Sequence, residues 1–211
     1  MKTYLFDLDD TLLDSVWIWE KMFDTFFEQE GVDVRFQRDV GQYFRKMSTP
    51  EIAQYIHDHI LPQYSQEQLY REIRKRIAHL YVTQVSMKKG ARRFLEQCGE
   101  KGIRMAVVTS GDLDIAEQTL EHFQIRSFFA SVYSSGHLNL SKRNPQLLEY
   151  VMKDLHTSPK EVIYFEDSMY AIEAARKLGI RCIGLVNEDN REAFMTNHVE
   201  RIEDFDRLET I

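Results

Sequence analysis

Asp7, Asp9 and Asp10 crowd into four residues near the start of the chain, with Thr11 directly behind them. Carboxylates this close repel one another and are costly to bury, so they are either solvated turn residues or neighbours of a shared cation. Asp7 closes a run of strand formers, 3–6, and two later apolar runs end in the same way. Residues 103–108 stop at Thr109 and Ser110, and 162–165 stop at Glu166 and Asp167. A carboxylate such as Asp7 can attack phosphorus and form an aspartyl phosphate. Asp9 shares its side of an extended chain and can protonate a leaving oxygen, then activate water. Thr109 and Ser110 offer hydroxyl and N–H donors to phosphate oxygens. Lys142 supplies a cation able to pair with Asp7 and a phosphoryl oxygen together, and Arg143 beside it competes for that role. Glu166 and Asp167 add the hard oxygens that Mg²⁺ prefers. Each residue also has an ordinary alternative: Asp9 as a turn residue, Thr109 and Ser110 as routine polar strand ends, Lys142 as a solvated charge, Asp167 or Ser168 as a helix N-cap.

These residues can act together only if the fold brings them together. Helix-like segments separate the three strands, and that alternation predicts a parallel sheet with right-handed crossovers and all strand ends along one edge. The expected site is the crevice outside those carboxyl ends. The chain then departs from simple alternation. Val16, Trp17, Trp19, Met22, Phe23, Phe26 and Phe27 recur at helical spacing up to Gly31, and further helices are expected over 34–47, 49–61 and 65–81. Pro50 behind Ser48 and Thr49, and Ser65 with Gln68, mark two helix starts. Roughly seventy residues far exceed a single crossover. The reading is an α/β core of residues 1–13 and 86–211 with a helical domain, 14–85, inserted after the first strand and expected to act as a lid. The core continues with helices over 90–100, 112–123 (capped by Asp112), 145–155 and 170–178, strands over 128–133 and 181–186, and a short final helix.

Composition narrows the function classes. Of 211 residues, 43% are hydrophobic and 29% charged, which suits a folded chain with a sizeable core. Lys and Arg number 27 against 34 Asp and Glu, a formal charge of −7, so bulk electrostatics would not hold a nucleic acid. No run is long and apolar enough for a membrane span. Cys98 and Cys182 read as reduced core residues, and a cytoplasmic monomer or homodimer is expected.

The chain resembles the haloacid dehalogenase-like superfamily. Its Asp-x-Asp-x-Thr motif is matched by Asp7, Asp9 and Thr11, and its strand ending in Ser or Thr by Thr109. Its Lys ahead of a helix is matched by Lys142 with Pro145, and its acidic pair by Glu166 and Asp167, followed by Ser168, Ala171, Ala174 and Ala175. The insert is similar to the family's C1-type helical cap. The resemblance implies a Rossmann-like core and a Mg²⁺-dependent phosphatase acting on a small phosphorylated metabolite of the sugar phosphate or phosphoglycolate type. Asp7 would be nucleophile and metal ligand. Asp9 would be acid/base and bind metal through its carbonyl, Asp167 would be the third protein ligand, and Glu166 a ligand or an orienter of metal waters. Asp10 stands where many members have Gly. Trp17, Tyr43, Arg45 and Lys46 are available to choose the substrate. A β-phosphoglucomutase-like phosphomutase is the alternative, and a non-catalytic binding protein is disfavoured by the intact charged set.

Overall fold

A computed structural model describes residues 1–33, 44, 47–206 and 208. At its centre lies β1 (Thr3–Phe6), buried at every position. It pairs in parallel with β4 (Arg104–Thr109) on one side and β6 (Val162–Glu166) on the other. Adding β5 (Ser131–Ser134), β7 (Arg181–Leu185) and β8 (Arg201–Ile202) gives a six-stranded sheet in the order β5-β4-β1-β6-β7-β8, parallel throughout. The chain builds outward from β1 through β4 to β5, then returns across to β6, so the strand order reverses beside β1. Open parallel sheets bind ligands at such a reversal, beyond the carboxyl ends of the strands.

The strands expected from sequence are all present, with shifted ends. β4 and β6 run far enough to include Thr109 and Glu166 respectively, and β5 starts three residues later than expected, a 3₁₀ turn at Arg126–Phe128 taking Phe128 and irregular chain taking 129–130. Two features went unforeseen. β2 (Leu13–Asp14) pairs antiparallel with β3 (Ser86–Met87), and β8 extends the sheet at its edge. Elements of two residues are too short to carry a readable period.

Alternation along the strands divides the core into two layers. Tyr4, Phe6 and Phe165 face Phe94 of α4 (Ala91–Glu100), with Phe129 and Phe205 closing the layer. Phe6 and Phe165 stack with ring centroids 4.7 Å apart. Each such buried side chain contributes about 1.5–3 kcal/mol of transfer free energy. On the opposite face Leu5, Val108, Val162 and Tyr164 pack with residues of α6 (Pro145–Asp154) and α7 (Met169–Lys177). The remaining core helices are α5 (Leu113–His122), whose first turn Asp112 caps through Asp114 N and Ile115 N, and α8 (Arg191–Thr196).

The chain divides into two compact units, Met1–Asp14 with Ser86–Ile211, and Ser15–Val85. Asp14 belongs with the first because its backbone pairs with Ser86. Within the second, α1 (Trp17–Gln29) buries Ile18, Met22, Phe23, Phe26 and Phe27; of the expected stripe the last four are buried, whereas Trp17 is exposed, Val16 and Trp19 are half-buried, and Ile18 takes the inward place in the first turn. It is joined by α2 (Thr49–His59) and α3 (Gln66–Thr83). Capping boxes at Ser48 with Glu51 and at Ser65 with Gln68 start these two helices. The helix expected over 34–47 falls largely outside the described residues, although Phe44 is described and buried.

Candidate active site

Asp7 owes its place to the strand that precedes it. Its N–H donates to the carbonyl of Phe165 at 2.9 Å, extending the β1–β6 ladder one residue past β1. Counting by twos, its side chain continues the face of Leu5, and Glu166 continues the face of Val162 and Tyr164. Two carboxylates therefore stand side by side on the face that α6 and α7 cover. Lys142, three residues before α6 begins, turns inward there and ion-pairs with Asp7 and, at 2.8 Å, with Glu166. All three are buried.

The oxygens of Glu166 are well occupied. Oε2 accepts from Lys142 and from the Tyr164 hydroxyl at 2.5 Å, and Oε1 accepts from Ser168 N at 2.9 Å. Among the described residues, Asp7 accepts from the Lys142 ammonium on Oδ1 and, at a long 3.5 Å, from Thr11 Oγ1 on Oδ2. Ser168 sits at the N-cap of α7, yet its hydroxyl turns to Asp167 Oδ1 at 3.2 Å and makes no cap bond.

Asp7, Glu166 and Asp167 each bring an oxygen within 4.8 Å of the others. Fully ionised, three carboxylates against one ammonium would carry two excess negative charges, with Asp7 and Glu166 buried and Asp167 half-buried. The ionisation of the group reflects this imbalance. Burial, then the Glu166 charge, pushes Asp7 up to about 8 against the pull of Lys142. Burial, then the charges of Glu166 and Asp7, raises Asp167 well above the usual carboxylate range. Burial alone would lower the Lys142 pKa, but its two carboxylate partners more than offset that and hold it protonated. Burial pushes Glu166 up, but the Lys142 charge and hydrogen bonds with Lys142, Tyr164 and Asp167 together keep it below its ordinary value. The set is acidic and oxygen-only, the ligand chemistry that suits a hard divalent cation.

Thr109 ends β4 fully buried, its hydroxyl accepting from Gly111 N at 2.9 Å. A Cβ at Gly111 would come within 3.3 Å of that hydroxyl and 3.8 Å of Asp9 Oδ2, so Asp9 and Thr109 flank the same turn. Ser134 Oγ holds the turn from β5 by donating to Gly111 O at 2.7 Å. Ser110 is exposed. Arg143, the rival of Lys142, is exposed and lies over the Tyr170 ring, 4.1 Å from its centroid. In the other unit Trp17 is 38% exposed, and Tyr43, Arg45 and Lys46 lie outside the described residues.

Three participants escaped the sequence reading. Tyr164 could have been found, since it stands two residues before Glu166 and shares its face. Asn187 and Asn190 carried no comparable signal. They lie beyond β7, in a loop whose path a local pattern does not reveal.

A six-stranded parallel sheet with an acidic, lysine-bearing site at its point of strand reversal defines a Rossmann-like hydrolase core. The chain matches the profile of the family described as haloacid dehalogenase-like hydrolase over residues 4–185, and it belongs to that family. It is 26% identical over 195 residues to the validoxylamine A 7'-phosphate phosphatase of Streptomyces hygroscopicus subsp. limoneus, covering 91% of this chain and 89% of that one. CbbY from Rhodobacter sphaeroides, solved in complex with phosphate, has a similar fold: TM-score 0.78, 21% identity, 99% of this chain and 96% of that chain. A β-phosphoglucomutase from Clostridium difficile does too, with TM-score 0.74, 17% identity, and 99% and 93% covered. Among the described residues no helix is long and apolar enough to cross a membrane.

Proposed function

We propose that the chain is a Mg²⁺-dependent phosphatase of a small phosphorylated metabolite, a sugar phosphate or phosphoglycolate, with Asp7 as nucleophile. The observation that carries this reading is the placement of Asp7 at the centre of the sheet edge, beside Lys142 and within an acidic group two positive charges short of balance. Asp7 attacks phosphorus and the ester oxygen leaves with a proton from Asp9, giving an aspartyl phosphate. Asp9 then takes a proton from water, which attacks phosphorus, releases orthophosphate and restores Asp7. Asp7, Asp167 and the Asp9 carbonyl would hold the Mg²⁺. When bound, the cation neutralises the excess charge and favours the ionised, nucleophilic form of Asp7.

Glu166 takes a different role in this scheme. With its oxygens engaged by Lys142, Tyr164 and Ser168, it anchors the lysine and leaves the metal to its neighbours. Lys142 holds a phosphoryl oxygen while paired with Asp7, and the turn carrying Thr109 and Ser110 receives the others. Recognition of the rest of the substrate we assign to the inserted helical segment, 14–85.

The phosphomutase found among the similar folds keeps a second reading in play. A panel of sugar phosphates and phosphoglycolate, incubated with Mg²⁺, separates the two: the phosphatase reading expects stoichiometric orthophosphate release. Isomer formation without net release contradicts it.

A further inference from the structure

Beyond the acidic cluster, a chain of side-chain amides joins two turns that the proposed mechanism uses separately. Asn190 occupies the N-cap position of α8, where an Asn side chain commonly accepts from the helix's own N–H groups, yet it makes no cap bond there. Its Nδ2 instead donates to the carbonyl of Asp167 at 2.9 Å and to that of Leu185 at 2.8 Å. Its Oδ1 accepts from Asn187 N, and Asn187 Oδ1 accepts from Asn190 N, both at 2.9 Å, so the two residues clasp each other. From that clasp Asn187 Nδ2 reaches Asp10 Oδ2 at 2.9 Å, across 177 positions of sequence. Lys88 Nζ stands 3.4 Å from the other Asp10 oxygen.

We infer that Asn187 and Asn190 are positioning residues that brace the Asp9–Asp10 turn against the Asp167 turn and so fix the spacing of the cation-binding oxygens. Asp10 has φ of 55°, a left-handed conformation that a non-glycine residue adopts only where something holds it. Here Asn187 and Lys88 hold it by the side chain, and the residue so fixed is the immediate neighbour of Asp9. At the other end, Asn190 fixes the main chain of Asp167 and does not bond its carboxylate, whose Oδ1 meets the Ser168 hydroxyl at 3.2 Å. The amide chemistry is specific. Asp at 190 would lose both donors and set a carboxylate against two carbonyls, and Asp at 187 would set one against Asp10.

This inference rests on the Mg²⁺ reading, and Mg²⁺ alone is the probe. Thermal unfolding of the whole protein over a series of Mg²⁺ concentrations, without substrate, gives the concentration at which stabilisation sets in, the apparent Kd in the logarithmic rise of stability with Mg²⁺. Asn187→Ala, at a half-buried position, removes the Asp10 link together with the acceptor for Asn190 N, whereas the near-isosteric Asn187→Asp keeps that acceptor and loses only the donor to Asp10; each is expected to raise that concentration about tenfold or more. Asn190→Ala should do the same if it folds; if it does not, the two Asn187 variants decide. Steady-state kinetics should show the matching demand for more Mg²⁺ with little change in substrate KM at saturating metal. Folded Asn187 variants with wild-type Mg²⁺ response overturn the brace. A wild-type protein that gains no stability from Mg²⁺ overturns the metal reading instead, so the two failures are distinguishable.

Discussion

Phe6 and Asp7 are neighbours in sequence and face opposite layers, and the two layers obey opposite rules. Around Phe6 the sheet is covered by aromatic rings, Tyr4, Phe94, Phe129, Phe165 and Phe205, whose burial stabilises the fold. Around Asp7 the same two strands end in buried charge that Lys142 only partly balances, an arrangement that costs stability unless something binds. One strand thus anchors the structure with its even residues and carries chemistry on the odd residue at its tip. The lesson is that stability and chemistry are assigned to opposite layers of the same sheet.

The contrast can be broken from either side. Phe165→Ala removes the ring stacked on Phe6 and should lower unfolding free energy by about 3–5 kcal/mol, the range for large aromatic truncations in a core. Denaturant titration would measure it, and Mg²⁺-dependent turnover of the surviving folded protein should remain near normal. Lys142→Ala strikes the other layer. It should lower kcat about 100- to 1000-fold, the usual cost of removing one charge-stabilising donor.

A smaller effect follows from ionisation. In chelator, the folded protein holds a proton on Asp7 up to about 8, whereas an unfolded carboxylate releases it near 3.8. Between those values the folded state binds more protons, so the metal-free protein should lose stability as pH rises through that window. Asp167, also raised, acts in the same direction; Glu166, lowered from 4.5, opposes it only below that value. Thermal unfolding from pH 5 to 8 should show the decline, and saturating Mg²⁺ should flatten it. The smallest effect belongs to the thiols. Burial pushes Cys98 and Cys182 each up to about 12, so neither should be alkylated by iodoacetamide at pH 8 until the protein unfolds. Rapid labelling of the folded protein would show a looser core than the rings imply.

The layered contrast also explains what could be read before any coordinates. Strands 3–6, 103–108 and 162–165 were legible because apolar runs ending in polar residues carry their own boundaries, and parallel topology followed from the helices between them. The encounter of Asp7 with Lys142, 135 positions away, was legible only as a consequence of that topology. Tyr164 was within reach of the same period-two reasoning. Asn187 and Asn190 were not, because their partners are main-chain carbonyls and a turn carboxylate, contacts that leave no mark on local pattern. The β2–β3 pair was invisible for another reason: two residues on each side cannot establish alternation. What selects the substrate stayed open, with Tyr43, Arg45 and Lys46 outside the described residues.

The central claim is that Asp7 does the covalent work under control of a bound cation. Turnover of p-nitrophenyl phosphate by the wild type and by Asp7→Asn, each with Mg²⁺ and with excess chelator, tests it most directly. The account predicts activity in one of the four conditions, wild type with Mg²⁺, and a loss of at least about a thousandfold in the variant. Comparable turnover by Asp7→Asn, or by the wild type in chelator, would contradict it.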